Sequence, residues 1–305
     1  MPLVSVVIPA YNSGRFLDEA VQSVIAQTFT DWECIVVDDG STEDLSRVEK
    51  MDPRVRLVRQ ANQGPSSARN NGILRAGGDL IALLDHDDLW LPEKLEVQCR
   101  AICAAPDGFC YCAFSIIDEA GAAAGEGWST DHADYRELVS EDGPPLNSTL
   151  LFRKDAIAGV GLFDPLFPSM QDYDFVLRLG RLHRPIFVAA SMMQYRLHAT
   201  NLSRNYLRGF HESRAILLKH VGYAACSGDL ATVRGARRML RSFRRTFGAQ
   251  AYDAARRCLR SGEYAQSLTH LGRALVWNPR STAASLVCYP MHKISRAVGK
   301  KGRAE

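Results

Sequence analysis

Four polar residues, Asp85-His86-Asp87-Asp88, follow the apolar run 80–84 and precede a second apolar group that begins at Leu89. An apolar run of this length that ends in a polar cluster is typical of a buried strand in a sheet covered on both faces. Such a strand brings its last residues to the carboxyl edge of the sheet, where open α/β folds bind ligands. Crowded carboxylates repel one another unless a hard cation coordinates their oxygens, so the motif predicts a divalent-metal site that can carry phosphates.

Five further groups of polar residues lie at predicted strand ends or helix starts. They are residues 9–12 (Pro-Ala-Tyr-Asn), 38–41 (Asp-Asp-Gly-Ser), 62–70 (Asn-Gln-Gly-Pro-Ser-Ser-Ala-Arg-Asn), 171–174 (Gln-Asp-Tyr-Asp) and 195–198 (Tyr-Arg-Leu-His). Tyr11 can stack on a planar ring or pack at the strand end. One carboxylate of 38–41 can accept an N–H of a base or the hydroxyls of a ribose, or it can close a turn. Arg69, near the start of a helix, suits a diphosphate, although an exposed arginine needs no ligand.

The last two groups have two readings each. Asp172 at a helix start is either a cap or a general base that takes a proton from a hydroxyl nucleophile. The segment 195–198 offers a cation, Arg196, and a metal or phosphate ligand, His198, although a lone histidine is more often structural.

Hydrophobic periodicity predicts the elements that position these groups. The expected strands are 4–8, 34–37, 55–58 and 80–84, and the expected helices are 13–27, 64–76 and one that begins at Pro92. Ser13 is the expected cap of the first helix. Strands that alternate with helices at this spacing indicate βαβ units and a mostly parallel sheet.

The regular alternation of strands and helices ends at about residue 108. Short strands are expected at 110–116, 149–152 and 186–189, with an irregular stretch at 118–147 that suits an acceptor-side subregion or a loop. From about 206 the pattern is helical. Within it, 252–279 is similar to one tetratricopeptide-type helix pair, which must pack on the catalytic domain or on a partner.

Composition excludes several classes of function. The 305 residues are 46% hydrophobic and 23% charged, with a net charge of +3 that is too mild for a nucleic-acid-binding protein. Eight cysteines form no CxxC pair, and no signal peptide or membrane-spanning run is recognisable, which favours the cytoplasm. Two segments are basic, 234–245 and 293–303, each either a solvated helix face or a functional patch.

Four of these motifs together resemble the family 2 glycosyltransferases. They are Val4-Ser5-Val6-Val7-Ile8-Pro9-Ala10-Tyr11-Asn12, Val36-Val37-Asp38-Asp39-Gly40-Ser41-Thr42, residues 62–70, and Leu83-Leu84-Asp85-His86-Asp87-Asp88, in the family's order within the first 90 residues. The resemblance continues through 149–153, 161–164 and 195–198, about two thirds of the chain. It implies an inverting enzyme of the GT-A fold (a Rossmann-like α/β fold), with a catalytic domain at 1–205 and a helical region at 206–305.

The resemblance also implies roles for the site residues. Pro9, Tyr11 and Asp39 are expected to line the nucleoside pocket, Arg69 to contact the base edge or the diphosphate, and Asp85 the ribose or a metal-bound water. Asp87 is then the direct ligand of Mn²⁺ or Mg²⁺, and His198 lies near the metal and the diphosphate.

The acceptor side of the site departs from the family in one position. Asp172 is the base of the family's Glu-Asp pair, where Gln171 replaces the usual Glu. Asp88 is expected to begin the next turn.

The predicted function is therefore the transfer of a sugar from a nucleotide-diphosphate donor to a hydroxyl of a glycan or lipid-linked acceptor. A UDP-sugar is the donor expected first. Family members of this kind make cell-surface polysaccharide or glycolipid, and the two basic segments could hold the chain at the inner face of a membrane.

Four other functions compete with this one. A haloacid-dehalogenase phosphatase is excluded because Asp88 occupies the fourth position of its motif, on a late strand. A sugar-nucleotide pyrophosphorylase is excluded because 9–14 lacks its Gly- and Arg-rich loop. A non-catalytic nucleotide-sugar-binding module, favoured by Gln171, and an interaction scaffold built on the helical region stay open.

Overall fold

The computed structural model describes residues 3–127, 130–199, 201 and 205–283. Strands and helices alternate through the first hundred residues, as the apolar periodicity predicts. These elements are β1 (Val4–Ala10), α1 (Arg15–Ile25), β2 (Trp32–Asp38), β3 (Val55–Arg59), α2 (Pro65–Arg75), β4 (Leu80–Leu83), β5 (Leu89–Trp90) and α3 (Lys94–Ala104).

The second part of the chain contributes both strands and helices. These are β6 (Gly108–Ile117), β7 (Ala123–Glu126), α4 (Tyr135–Ser140), β8 (Leu151–Arg153), α5 (Ile157–Val160), α6 (Gln171–Leu182) and β9 (Arg184–Arg196), followed by α7 (Tyr206–Cys226), α8 (Leu230–Arg260) and α9 (Tyr264–Trp277). The stretch 118–147, expected to be irregular, thus contains a short strand and a short helix. The α/β fold with a C-terminal helical region is confirmed, although residues 284–305 and the basic segment 293–303 lie outside the described residues.

All nine strands found in the described residues belong to one sheet, in the order β3-β2-β1-β4-β8-β6-β9-β5, with β7 paired to β6. The neighbours β3, β2, β1 and β4 are parallel. Farther along, β8 is antiparallel to both β4 and β6, and β9 is parallel to β6 but antiparallel to β5. The predicted parallel sheet is therefore found in the first half, and the second half is mixed.

The strands are apolar on both faces because helices cover both. On one face Val6 and Ile8 of β1 pack with α1 and α3. On the other, Val7 packs with α2, and the same core includes residues of α6, α7 and α8, such as Ile216 and Met239. The first helices of the C-terminal region thus share the core of the sheet, while the predicted boundary at residue 205 stays a prediction.

Two helix starts differ from their predictions. Ser13 does not cap α1, which begins at Arg15 after Gly14, and the Ser13 Oγ is buried without a hydrogen-bond partner in the described residues. The N-cap residue is instead Gly14, which has no side chain and whose φ of 55° is readily adopted by glycine. Pro92 does not begin α3, which starts two residues later, because Pro92 lies in a turn whose Leu91 carbonyl accepts the Lys94 N–H.

Candidate active site

The ends of β1, β2 and β4 meet at one edge of the sheet because these strands are parallel. Ala10 pairs with Asp38, and Val7 with Leu83, so the residues that follow each strand are neighbours in space. The loops after β1 and β2 are joined by the Asn12 side chain, whose Oδ1 accepts the Thr42 N–H at 2.9 Å. The sheet thus brings three of the predicted groups to a single edge.

Pro9 and Tyr11, both predicted to line a nucleoside pocket, differ in exposure. Pro9 is buried within β1, opposite Val37. Tyr11 follows the strand and is 48% exposed, so its ring is open to a planar ligand. The contact of either residue with a nucleoside stays a prediction.

Asp39 is buried and holds the loop that precedes α2. Its Oδ1 accepts N–H groups from Gln60 Nε2 at 2.8 Å and from the Gln63 backbone at 2.9 Å. Its Oδ2 accepts the Gly64 N–H at 2.8 Å. Asp39 therefore fixes the start of the helix that carries Arg69, a role that the local sequence did not indicate.

Arg69 forms an ion pair with Asp85 across the end of β4. It is the fifth residue of α2, near the start of the helix as predicted, and it is 3% exposed. Its Nε and Nη1 are buried and have no hydrogen-bond partner in the described residues. Buried donors are almost always satisfied in folded proteins, so these two N–H groups indicate an anionic or carbonyl ligand.

Asp87 contacts His198, the other predicted metal ligand, while the binding of a metal by the pair stays a prediction. The Asp87 Oδ2 lies 2.8 Å from the His198 Nε2, and both side chains are largely buried. Burial disfavours the charged carboxylate, but the His198 hydrogen bond and the neighbouring histidines lower the pKa of Asp87 overall. Asp87 is therefore held ionised at the edge of the sheet.

Asp88 does not begin the next turn, contrary to expectation. Its N–H closes the turn by donating to the Asp85 carbonyl at 3.1 Å. The carboxylate is buried and accepts the Ser148 Oγ at 2.5 Å and the Arg196 N–H at 3.1 Å. Burial, followed by repulsion from Asp87 and Asp85, raises the pKa of Asp88 well above its ordinary value. Asp88 therefore anchors the loop rather than binding a cation.

Arg196 was expected to supply a cation to the site. It is instead only 1% exposed and stabilises the Asp85–Asp88 turn through hydrogen bonds. It donates to the Asp87 carbonyl at 3.0 Å and the Glu119 carbonyl at 3.2 Å, and it pairs with Glu19 of α1 at 2.6 Å. Three separate segments are thus tied to the backbone of the Asp85–Asp88 turn.

Asp172 is the second residue of α6 and is partly exposed. Burial raises its pKa to about 6, with the Asp85 carboxylate adding to the rise and the Tyr173 N–H and Arg69 opposing it. Its Oδ1 accepts the Tyr173 N–H at 2.8 Å, and the helix has no side-chain cap at Met170. A carboxylate with a pKa close to neutral is well suited to general base catalysis.

Gln171, which replaces the family's Glu, is bound to the donor side of the site. Its Oε1 accepts the Ser66 Oγ at 2.7 Å, and both residues are buried. Ser66 lies in the first turn of α2, one turn before Arg69. The amide therefore ties the helix of Asp172 to the helix of Arg69.

The metal-ligating side chains at the edge of the sheet can hold a divalent cation only if a bound ligand supplies the remaining coordination positions. No group of three or more His, Cys, Asp or Glu side chains that could hold a metal occurs within the described part of the chain. Asp87 and His198 supply one carboxylate and one imidazole. Mn²⁺ and Mg²⁺ in phosphate-transfer sites commonly take one or two carboxylates and fill the remaining positions with phosphate oxygens and water.

Comparison with known proteins finds similarity to glycosyltransferases. Residues 5–143 match the family model described as Glycosyl transferase family 2. A relative in Rickettsia felis, named an uncharacterized glycosyltransferase, is 40% identical over 121 residues, which are 39% of this chain and 20% of that protein. The chain thus spans about a fifth of the length of that relative. Escherichia coli WfgD, a UDP-Glc:alpha-D-GlcNAc-diphosphoundecaprenol beta-1,3-glucosyltransferase, is 29% identical over 67% of this chain and 80% of its own.

The fold is also that of a solved structure. S. aureus TarS 1-349, in complex with UDP-GlcNAc, superposes with a TM-score of 0.62 at 19% identity, over 92% of this chain and 83% of that one. The likeness establishes the GT-A architecture. Within the residues that the structure describes, we find no helix with the length and apolarity needed to cross a membrane.

Proposed function

We propose that the chain, whose residues 5–143 match the family 2 glycosyltransferase model, moves a sugar from a nucleotide-diphosphate donor to an acceptor hydroxyl with inversion at the anomeric carbon. The observation that carries this proposal is the position of Arg69, a buried cation with two N–H groups that find no partner among the described residues. It pairs with Asp85 and acts electrostatically on Asp172, so one arginine lies between the donor side and the acceptor side.

A UDP-sugar is the donor that we propose. WfgD is named for UDP-Glc, and the TarS structure contains UDP-GlcNAc, so both similar proteins handle uridine nucleotides. In this chain the exposed Tyr11 ring would stack on the base, and the buried residues Pro9 and Asp39 would line the pocket beside it. The Arg69 guanidinium would donate to the diphosphate, since a charged donor forms its strongest hydrogen bonds with anions.

Asp172 would act as the general base. A carboxylate with a pKa of about 6 is mostly ionised at neutral pH, yet is basic enough to accept a proton from a hydroxyl as that hydroxyl attacks. Direct attack on the face opposite the leaving diphosphate forms one bond while the other breaks. A single displacement of this kind inverts the anomeric configuration, and no covalent sugar–enzyme intermediate is needed.

Asp87 and His198 would hold a Mn²⁺ or Mg²⁺ ion, with Asp85 facing the ribose or a metal-bound water. When bound, such an ion neutralises charge on the departing diphosphate. The chain's own part is to keep Asp87 ionised through His198 and to hold the loop rigid through Asp88 and Arg196.

We further propose that the acceptor is a glycan or a lipid-linked glycan of cell-surface polysaccharide or glycolipid synthesis, and that the chain works in the cytoplasm against the inner face of the membrane. Support comes from six arginines of α8, all exposed and spaced three or four residues apart along one helix face. They are Arg234, Arg237, Arg238, Arg241, Arg244 and Arg245. Flotation with vesicles containing anionic lipid tests this, and salt-insensitive or absent binding would count against it.

The donor is tested by thermal shift with nucleoside diphosphates and nucleotide-sugars, with and without Mn²⁺. Ligand that binds the folded state raises the melting temperature by mass action. We expect the largest metal-dependent shift with a UDP-sugar, and the same shift from Asp172→Asn, because that residue lies on the acceptor side. If nucleotide binds but wild type and Asp172→Asn are equally inactive across the donors, the chain is a nucleotide-sugar-binding module and not a transferase.

A further inference from the structure

The helix that carries Asp172 lacks the side-chain caps that usually begin a helix. Its N-cap residue is Met170, which has no hydrogen-bonding side chain, and its third residue is Tyr173. In a capping box, a Glu or Gln at that third position reaches back to accept the N–H of the N-cap residue. Helix α6 cannot form this bond from its own sequence.

Glu212 of α7 makes that bond from outside. Its Oε2 accepts the backbone N–H of Met170 at 2.9 Å and that of Ser169 at 2.9 Å. The side chain is 8% exposed, so the carboxylate is shielded and its negative charge lies at the positive end of the helix dipole. A residue of the C-terminal helical region thus supplies the missing half of the cap.

Two further sets of contacts hold α6 and the segment before it. Asp174, in the first turn of α6, is completely buried between Lys219 of α7 at 2.9 Å and Arg178 at 2.8 Å. Before α6, Asn70 of α2 exchanges two hydrogen bonds of 2.8 Å with the backbone of Phe163. The segment that leads into α6 is therefore held between the donor helix α2 and α7.

We propose that Glu212 is a positioning residue for catalysis, and that α7 fixes the placement of Asp172 through it. This rests on the proposed function, in which Asp172 is the base. The two anchored amides are only three and two residues before Asp172, so a shift of this segment moves the carboxylate directly. Helix α7 lies outside residues 5–143 matched by the family model, and the contact gives the helical region a part in the reaction.

Two variants of Glu212 separate the effect of side-chain length from the effect of charge. Glu212→Gln keeps a carbonyl oxygen where Oε2 lies, and we expect kcat within about fivefold of wild type. Glu212→Asp keeps the charge but is shorter by about 1.5 Å, and we expect kcat to fall about 10- to 100-fold, because small displacements of a catalytic group have effects of that size. In both variants the Kd of UDP should stay within about twofold, since no donor contact changes.

Asp229→Glu provides the matched control. Asp229 caps α8 by accepting the Thr232 N–H, far along the chain from Asp172, and its replacement changes the length of a capping carboxylate by the same methylene. We expect this variant to lower the melting temperature without changing kcat or the Kd of UDP.

The proposal is overturned if Glu212→Asp retains full kcat, or if kcat and UDP affinity fall together in Glu212→Asp and Glu212→Gln alike. Hydrogen exchange of the wild type provides a test that does not depend on the variants: the amides of Ser169 and Met170 should be protected, and fast exchange would overturn the proposal. Wild type that transfers no sugar from any donor would instead refute the proposed function, while the exchange result would still stand.

Discussion

Replacement of Asp172 by Asn is expected to abolish transfer and, at neutral pH, to stabilise the fold. Loss of a general base lowers kcat about 10²- to 10⁴-fold. The stability gain follows from the raised pKa, about 6 in the folded chain against an ordinary value of 3.8. That difference corresponds to about 3 kcal/mol for a shielded group. Because Asp172 is partly exposed, we expect about 1 to 2 kcal/mol.

The sign of the effect follows from proton binding. Between pH 3.8 and about 6 the folded chain keeps the Asp172 proton while the unfolded chain loses it, so stability falls as the pH rises through this window. Asn does not titrate. The variant should therefore be more stable than wild type above about pH 6, and equally stable below about pH 4.

The same pKa sets the activity profile of the wild type. Roughly half of Asp172 is ionised at about pH 6, about one tenth at pH 5 and about nine tenths at pH 7. Nucleotide release from UDP-GlcNAc or UDP-Glc, followed at saturating donor, should therefore fall about tenfold between pH 7 and pH 5. Urea denaturation at pH 4 and pH 7 measures the stability change.

Asp253→Asn is the control, since Asp253 lies on the exposed face of α8. It should change neither kcat nor the pH dependence of stability. The reasoning is refuted if Asp172→Asn is less stable than wild type at pH 7, or if wild-type activity at saturating donor is constant between pH 5 and pH 7.

Four other substitutions test the packing around the site. Gly72→Ala should destabilise the fold by about 1 to 3 kcal/mol, because its Cβ would overlap with the Val7 side chain of β1. Gly222→Ala in α7 meets open space and should be neutral or stabilising by up to about 1 kcal/mol. Arg196→Lys should lower the free energy of unfolding by about 2 to 4 kcal/mol and weaken Mn²⁺-dependent binding of UDP, because lysine cannot span its three acceptors. Asp39→Asn should lower the free energy of unfolding by about 1 to 3 kcal/mol. Asp39 accepts three N–H groups, and in Asn an NH₂ group, which can only donate, replaces one of the two accepting oxygens.

Urea denaturation and thermal shift with UDP and Mn²⁺ check these outcomes. Equal stabilities of the Gly72 and Gly222 variants would contradict the close packing of α2 on β1. Unchanged metal dependence in Arg196→Lys would contradict its role in bracing the Asp85–Asp88 turn. An Asp39→Asn protein with native stability would mean that the loop before α2 is held by other contacts.

The elements of the first hundred residues were predictable because their signals are local. A β-branched run such as 4–8 alternates with helical spacing such as that of 64–76, and each can be read within a few residues. The carboxyl-edge position of Asp85 and Asp87 followed from strand direction alone. Helix starts were less certain, as Ser13 and Pro92 illustrate, because a turn competes with the cap over the same residues.

The antiparallel strands of the second half could not be predicted in their pairing. Short runs such as 149–152 are consistent with a strand of either direction, and the order of strands depends on which long-range pairs bury the most apolar surface. The two-residue strand β5 is too short to leave a periodic pattern at all.

Within the site, the sequence by itself determined which side chains are available, namely Asp85, Asp87, Arg69 and Asp172, and that two of their three segments follow strands of a parallel sheet. Only the tertiary structure decided what each one does, because the deciding contacts join distant segments. Asp88 meets Ser148 across 60 residues and Glu19 meets Arg196 across 177, while Met170 meets Glu212 across 42. A buried polar group must find its partner wherever packing brings one, and no local pattern records that partner.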